Sequence, residues 1–243
     1  MLNVQIKHFG LIILCYSVSV FAETNSVTLA TADWQPYIVK DQPEKGVFTK
    51  IIIEVFNAMN IKIKFVYAPW KRVEAIVNTG QAFAAIPYSY TDERAKIFDY
   101  SAAIMDSTYI FLYNKKLYPN GIAYKELKDL KNYRIGGVTG YWYDNLFKEA
   151  GLTVEYVTSD EQSIKKLYAG RVDLVATDQL VGQMLIKKLY PKEIEFFGEL
   201  ERSFAHQCLH LMVSKHYPNA AQLTQQFNIT FKQVYNKEQS CIK

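Results

Sequence analysis

The sequence predicts an α/β protein whose two lobes are connected by two extended segments. Short β-branched runs alternate with amphipathic stretches along the chain, as they do in open α/β sheets. The same alternation starts again near residue 134 with turn residues of its own, which indicates a second lobe. Apolar segments at 108–114 and 204–212 are the candidates for strands that cross between the lobes.

The N-terminal segment is typical of a secretory signal. A weakly basic start precedes an apolar run over residues 9–21, and a V-x-A cleavage pattern follows at 20–22. This run is too short to span a hydrocarbon core, which needs about 20 apolar residues. We therefore expect a signal peptide over residues 1–22 and export to the periplasm.

The elements of the first half follow from the spacing of its apolar residues. In order, they are a strand at 27–32, a helix at 47–59, a strand at 61–67, a helix from Trp70 that is closed by Gly80, and a strand at 82–86.

The second half repeats this scheme. In order, its elements are a strand at 134–138, a turn at Thr139 and Gly140 that opens a helix ending near Gly151, a strand at 153–157, a helix capped by Ser159, a strand at 172–177, a helix at 179–190, an apolar stretch at 209–214 and a helix after Pro218.

The two crossing segments make the first lobe discontinuous. We expect lobe 1 to comprise residues 23–107 and 207–243, and lobe 2 to comprise residues 112–204. The hinge strands then lie at 108–111 and 205–206.

Composition and charge limit the classes of function. Hydrophobic residues make up 49% of the chain and aromatic residues 14%, which supports packed cores rather than disorder. The 28 basic and 24 acidic residues form no block of like charge, so nucleic acid is not an expected partner.

Two cysteines, Cys208 and Cys241, remain after removal of the signal peptide. An oxidising compartment would allow them to form a disulfide. A buried free thiol at Cys208 and an unpaired Cys241 are the alternative, and the sequence leaves both open.

Several short motifs recur in a characteristic order. They are WQPY at 34–37, a Gly46-led helix, PYSYTDER at 87–94, FDYS at 98–101, RIGGVTG at 134–140 and AGRVDLVATD at 169–178. With these motifs the mature chain resembles the family-3 extracytoplasmic solute-binding proteins, the amino-acid receptors of ATP-driven importers.

The resemblance implies a type II periplasmic-binding-protein fold whose two lobes close around a ligand. The ligand would be an amino acid or a related zwitterion, and the protein partner would be the permease of an ABC importer or a receptor. The resemblance also implies a monomer without a cofactor.

Arg94 and Ser89 are the expected contacts for a ligand carboxylate. A guanidinium offers two parallel hydrogen bonds in the plane of a carboxylate. The family's carboxylate-binding arginine occupies the matching TxxR pattern, and Ser89 matches a position that faces the ligand. An arginine in a first helical turn is otherwise more often a solvated surface residue.

Asp178 is the expected partner of a ligand ammonium group. It follows an apolar strand, where open α/β sheets place ligand contacts, and the resemblance matches it by position. The alternative is an N-cap for the next helix. Both roles can hold at once, because a carboxylate has several acceptor sites.

The turn at Gly140 is expected to open a helix whose free N–H groups hold a carboxylate. Family members usually have Ser or Thr after this glycine, whereas this chain has Tyr141 and Trp142. A hydroxyl contact is lost at that point, and large rings occupy the site.

Other aromatic residues are expected to line the pocket by stacking on a flat or cationic group. They are Trp34, Tyr37, Trp70 and Tyr88, and each could instead belong to a core. Arg72 is a second candidate for an anion contact, although an exposed helical position explains it better.

Alternative functions rest on weaker patterns. His206, Cys208 and His210 would share one strand face, but no fourth ligand or zinc pattern occurs nearby, so we expect no metal site. An enzyme on the same fold, similar to the cyclohexadienyl dehydratases, would need an acid or base. The candidates for this role are Glu44, Glu74, Glu93 and Asp106. A ligand-sensing receptor subunit is a further alternative.

Overall fold

The protein is described by a computed structural model that covers residues 26–236. The predicted signal peptide and Cys241 lie outside these residues. The strands are β1 (Ser26–Thr31), β2 (Lys62–Tyr67), β3 (Ala84–Ser89), β4 (Phe98–Tyr100), β5 (Met105–Asn114), β6 (Ile135–Val138), β7 (Val154–Val157), β8 (Leu174–Asp178), β9 (Phe197–Glu199) and β10 (Ala205–Ser214).

The helices alternate with these strands. They are α1 (Val47–Ala58), α2 (Trp70–Asn78), α3 (Asp92–Ala95), α4 (Asp144–Glu149), α5 (Asp160–Tyr168), α6 (Gln179–Leu189) and α7 (Ala220–Tyr235). Short 3-10 helices occur at Pro43–Lys45, Leu127–Leu130 and Ile194–Phe196.

The first lobe is built on β2, β1 and β3, which run parallel to one another, and on β10, which is antiparallel to β3. Helix α1 covers this sheet because Phe48, Ile52, Val55 and Phe56 recur at helical spacing and are fully buried. Helix α7 packs on α1, where the rings of Phe227 and Phe56 lie 5.4 Å apart.

The second lobe is built on β7, β6 and β8, which are parallel, and on β5, which is antiparallel to β8. Helix α5 begins at Ser159, whose hydroxyl accepts a hydrogen bond from the Gln162 N–H. It buries Ile164 and Leu167 against β6 and β8. The predicted α/β class is therefore present in both lobes.

Two long strands, β5 and β10, connect the lobes. They pair with each other antiparallel over 105–109 and 205–209. Beyond Tyr109, β5 continues along β8, and from Leu209 onward β10 continues along β3. Each strand therefore belongs to both lobes, and the predicted hinge segments at 108–111 and 205–206 overlap the stretch where the two strands pair.

One predicted element begins later than expected. The helix after Gly140 starts only at Asp144, because the Tyr141 N–H bonds to the Val138 carbonyl and closes a tight turn. The Tyr143 hydroxyl then accepts a bond from the Val138 N–H, and its ring stacks on Phe147 at 4.6 Å. Aromatic packing therefore takes up residues that the sequence assigned to the first turn of the helix.

No helix within residues 26–236 combines the length and the apolar character that membrane crossing requires.

Cys208 is disulfide-bonded. Because Cys241 lies beyond Asn236, its pairing with Cys208 remains a prediction.

Candidate functional site between the lobes

A cavity lies between the two lobes, close to the carboxyl ends of β1, β3 and β6, and we call it the interlobe cavity. Lobe 1 and the hinge strand β10 supply one wall, and β5 and lobe 2 supply the other. The residues that line it are Trp34, Trp70, Pro87, Tyr88, Ser89, Arg94, Tyr109, Gly140, Tyr141, Trp142 and Leu209. Eight of the ten residues expected to bind ligand are among them, and Tyr37 and Asp178 are not.

Arg94 lies in the first turn of α3, after the hydroxyl of Thr91 caps the helix. Its Nη2 donates to the Gly140 carbonyl across the cleft at 2.9 Å, and its Nη1 donates to the Ser89 carbonyl at 3.3 Å. The guanidinium also lies 4.8 Å from the centre of the Tyr88 ring. Arg94 is therefore not a solvated surface residue, and it joins the two lobes directly.

The ion-pair partner of Arg94 is Glu74 from α2. Glu74 Oε1 accepts from Arg94 Nη2 at 2.7 Å and from Nε at 3.0 Å. The side chains are 12% exposed for Arg94 and 31% for Glu74, so water screens the pair only in part. In the sequence, Glu74 was only a candidate acid or base, because residues 20 positions apart show no pairing signal in one sequence.

Gly140 approaches lobe 1 closely. Its φ of +85° is in the left-handed region that favours glycine, and a Cβ there would lie 3.3 Å from the Lys71 nitrogen. Its carbonyl points to Arg94. The expectation that this turn leads directly into a helix is wrong, since α4 begins only at Asp144. The Tyr141 N–H is already bonded to the Val138 carbonyl, and the binding of a carboxylate by N–H groups of this turn stays a prediction.

Aromatic rings form most of the cavity wall. The Trp34 ring lies 6.0 Å from that of Trp70 and 6.5 Å from that of Tyr141, both edge to face. Tyr109 and Trp142 meet edge to face at 5.1 Å on the lobe 2 side. Trp34 Nε1 is buried without a hydrogen-bond partner among the described residues, so it can donate to a ligand oxygen.

Asp178 lies behind this wall and is fully buried at the start of α6. Its carboxylate accepts bonds from the Val181 N–H at 3.0 Å, from Ser107 Oγ at 2.6 Å and from Tyr37 Oη at 3.1 Å. The N-cap role considered from the sequence is therefore present. Burial raises the pKa of Asp178, and these three donors partly offset that effect.

Tyr37 connects Asp178 to the first lobe, because it follows β1 while Asp178 ends β8. Its ring stacks on Trp34 at 4.5 Å, which lines the cavity. Tyr109 stands opposite Asp178 in the register of β5 and β8. The Asp178 carboxylate is thus separated from the cavity by Tyr37 and Trp34 on one side and by Tyr109 on the other.

Asp160, which no sequence pattern indicated, is a second buried carboxylate behind the wall. It accepts hydrogen bonds from the Tyr141 hydroxyl and, at 3.0 Å, from Thr177 Oγ1. Burial raises the pKa of Asp160 to about 6, and the nearby charge of Asp178 adds to this increase. The hydrogen bonds from Tyr141 and Thr177 lower the pKa and offset part of it. Its other side faces a neighbouring interlobe cavity that Asp33 and Glu161 also line.

The weaker candidates lie away from the interlobe cavity. Arg72, Glu44 and Glu93 are exposed, and Asp106 pairs with Cys208 in the register of β5 and β10. Within residues 26–236, no group of three or more His, Cys, Asp or Glu side chains could hold a metal ion. The rings of the two histidines instead contact oxygen atoms, His206 those of Thr108 and Ser203, and His210 that of Ser101.

The chain is similar in sequence to a curated relative, a "Probable histidine-binding protein" of Neisseria gonorrhoeae, with 27% identity over 177 residues. The match covers 69% of this chain and 63% of the relative, so the chain spans less than two thirds of that protein. No family model matches the chain. The sequence match confirms the resemblance inferred from the motifs.

Solved structures share the fold. An ancestral arginine-binding protein bound to arginine has a TM-score of 0.74 at 21% identity, covering 88% of this chain and 93% of that one. A histidine-bound substrate-binding protein of an ABC uptake transporter from Streptococcus pneumoniae has a TM-score of 0.74 at 16% identity and covers 87% of each chain.

A histidine kinase sensor domain with similarity to periplasmic binding proteins also superposes well. Its TM-score is 0.76 at 16% identity, with 87% of this chain and 90% of that chain covered. These likenesses confirm the predicted type II periplasmic-binding-protein fold. The compared proteins are named as binding or sensor proteins.

Proposed function

We propose that this chain is an exported, periplasmic solute-binding protein that captures a small polar ligand, an amino acid or a related compound. Hinge movement at β5 and β10 would close the lobes around the ligand, and the closed form would deliver it to the membrane permease of an ABC importer. The observation that supports this most directly is the interlobe cavity, because both lobes contribute walls to it.

The arrangement of the cavity suits capture by closure. Arg94 of lobe 1 meets the Gly140 carbonyl of lobe 2, and Tyr37 of lobe 1 meets Asp178 of lobe 2. These contacts exist only when the lobes are together. A ligand that touches both walls binds the closed arrangement better than the open one and therefore shifts the equilibrium toward it.

Asp178 is the proposed partner of the ligand's ammonium group. Its carboxylate is surrounded by neutral donors, so its negative charge is not balanced by a cation in the contacts described above. An ammonium group could take the place of the Tyr37 hydroxyl as a donor. A charge-assisted bond of this kind contributes about 1.5–3 kcal/mol, more than a neutral one.

The names of the compared proteins support an amino-acid ligand and a transport role. The relative and two of the structures are named for binding histidine or arginine, and one of these serves an ABC uptake transporter. A sensor role is the second candidate, because the kinase sensor domain superposes equally well. A single monomeric chain would serve in either role.

The test uses the fluorescence of the three tryptophans, Trp34, Trp70 and Trp142, which all line the interlobe cavity. The mature protein is titrated with each amino acid, and thermal unfolding is followed in parallel. We expect at least one amino acid to change the fluorescence and to raise the melting temperature, since a ligand that binds only the folded state stabilises it.

Asp178→Asn is the site variant for this test. We expect its affinity for the same ligand to fall at least tenfold, because the loss of a charge-assisted bond exceeds the 1.4 kcal/mol that corresponds to tenfold. Asp41→Asn is the matched control, as Asp41 is exposed and lies outside the cavity. Equal losses in both variants, or none in Asp178→Asn, would exclude Asp178 as the ammonium site.

The transport role and the sensor role are distinguished by the membrane partner that the ligand-bound protein stimulates. A transport protein raises the ATPase rate of its importer in liposomes when ligand is present, whereas a sensor raises the autophosphorylation of a kinase.

A further inference from the structure

We propose that the ligand of the interlobe cavity is an organic cation and that a free carboxylate on this ligand is dispensable for binding. This inference rests on the proposed function and narrows its ligand class. It follows from the bonds of Arg94, from the carboxylates around Arg94, and from the aromatic cavity wall.

Most of the N–H donors of Arg94 are already bonded within the protein. A carboxylate that binds a guanidinium through two parallel hydrogen bonds needs two neighbouring N–H groups. Of the five N–H donors of a guanidinium, Arg94 directs two to Glu74, one to the Gly140 carbonyl and one to the Ser89 carbonyl. One N–H of Nη1 is left for a single bond, whereas a carboxylate bound through two parallel bonds would have to displace Glu74 or one of these carbonyls.

The positive charge of Arg94 already has acidic side chains near it. Arg94 is already paired with Glu74, and Asp144 of lobe 2 lies close enough to feel both charges. Burial raises the pKa of Asp144, which the Arg94 charge lowers and the Glu74 charge raises. Its Oδ1 is buried without a hydrogen-bond partner among the described residues. A further carboxylate at Arg94 would therefore face two carboxylates for one guanidinium.

The wall of the interlobe cavity is largely aromatic. Trp34, Trp70, Tyr109, Tyr141 and Trp142 present aromatic rings to the cavity. The faces of such rings attract cations, and the attraction grows when water is excluded. A ligand that contacts the face of one of these rings is therefore favoured if it carries an ammonium, guanidinium or imidazolium group rather than an anion.

Buried acids strengthen this preference from behind the wall. The Tyr141 hydroxyl donates to Asp160, and the Tyr37 hydroxyl donates to Asp178. In a low-dielectric site, these carboxylates attract a cation in the cavity more strongly than they would in water. The positive charge of Arg94 offsets little of this attraction, because Glu74 neutralises Arg94.

A carboxylate could still bond to the free Trp34 Nε1–H. A neutral donor forms such a bond with an uncharged oxygen as well, and it does not balance the charge of a carboxylate near Glu74 and Asp144. The carboxylate of a cationic amino acid should thus add little to its affinity.

The experiment compares pairs of compounds that differ only in the carboxylate: arginine with agmatine, histidine with histamine, and lysine with cadaverine. Titrations of the wild-type protein are followed by tryptophan fluorescence and calorimetry. We expect the amine of the best-binding pair to bind within threefold of its amino acid or tighter. An amino acid that binds more than threefold tighter than its amine overturns the inference while the proposed function stands.

Glu74→Gln tests whether the charge of Glu74 is what prevents a ligand carboxylate from adding affinity. This variant keeps an acceptor for Arg94 but removes the charge, so we expect the affinity for the amino acid to rise at least tenfold relative to its amine. Glu149→Gln, on an exposed residue of α4, removes the same charge away from the cavity and should leave the ratio unchanged. A ratio that is unchanged in Glu74→Gln contradicts the role of Glu74.

The two proposals fail in different ways. If none of the amino acids or amines binds either the wild type or Glu74→Gln, the proposed function and this inference are both wrong. If ligands bind but the amino acid binds more than threefold tighter than its amine, the carboxylate contributes to affinity, and only the inference is wrong.

Discussion

Replacing Asp160 by asparagine should change how the free energy of unfolding depends on pH. Asp160 is 6% exposed, and its two carboxylate oxygens accept bonds from Tyr141 and Thr177. Burial raises its pKa from the usual 3.8 to about 6. In the folded protein, the neutral form therefore prevails up to about pH 6 and the carboxylate prevails above it.

The sign and size of the effect follow from this increase. Below pH 3.8 the carboxyl is protonated in both states, and its contribution is constant. Between pH 3.8 and about 6, the unfolded chain loses this proton while the folded protein retains it, so stability falls as the pH rises. A difference of one between the folded and unfolded pKa values corresponds to about 1.36 kcal/mol, so a difference of about two corresponds to a loss of about 3 kcal/mol in the free energy of unfolding.

The assay is urea unfolding of the wild type and Asp160→Asn from pH 4 to pH 8. Asparagine does not titrate, so the stability of the wild type relative to the variant should fall by about 2 kcal/mol over this range, because part of the full loss already occurs below pH 4. Asp173→Asn should behave in the opposite way. Bonds from Arg134 lower the pKa of Asp173, so this carboxylate stabilises the fold at neutral pH and loses that effect as the pH falls. A pH-independent difference for Asp160→Asn would refute the reasoning.

Three further predictions concern other contacts. Tyr37→Phe removes a donor from the buried Asp178 and should cost about 1–3 kcal/mol in urea unfolding, whereas an unchanged midpoint would mean that Ser107 compensates. Gly140→Ala places a Cβ 3.3 Å from the Lys71 nitrogen at a φ of +85°, so it should weaken ligand binding in fluorescence titrations, by about tenfold if the left-handed strain is about 1–2 kcal/mol. Ser159→Ala removes the N-cap of α5 and should lower the free energy of unfolding by about 1 kcal/mol, and a loss below 0.3 kcal/mol would show that Gln162 or water replaces the cap.

Local patterns predicted most of the secondary structure. The apolar spacing of α1 and the cap at Ser159 placed helices that the structure contains at nearly the same residues. The helix after Gly140 was placed wrongly because its apparent first turn contains Tyr141 and Tyr143, which are held by bonds to Val138 instead. Such packing depends on neighbours that a helical pattern does not reveal.

The candidate site was predicted unevenly. Motif positions pointed to Arg94, Trp34 and Tyr141, and these residues meet in one cavity. Glu74 was not expected beside Arg94, and Asp160 was not expected behind Tyr141. A carboxylate on a helix face has the same pattern in one sequence whether it contacts water or an arginine.

The sequence by itself determined the α/β class and most element positions, because these depend on residue spacing and turn chemistry within short segments. It also placed Asp178 at the end of a strand, where a helix begins. Only the tertiary structure decided which charges meet. Arg94 pairs with Glu74 and Gly140, and Asp178 is buried behind the aromatic wall. The sequence could not reveal these contacts, because they join residues 20 to 141 positions apart, several of them across the two lobes. Long-range contacts of this kind set the charge of the cavity, and that charge is what selects a ligand.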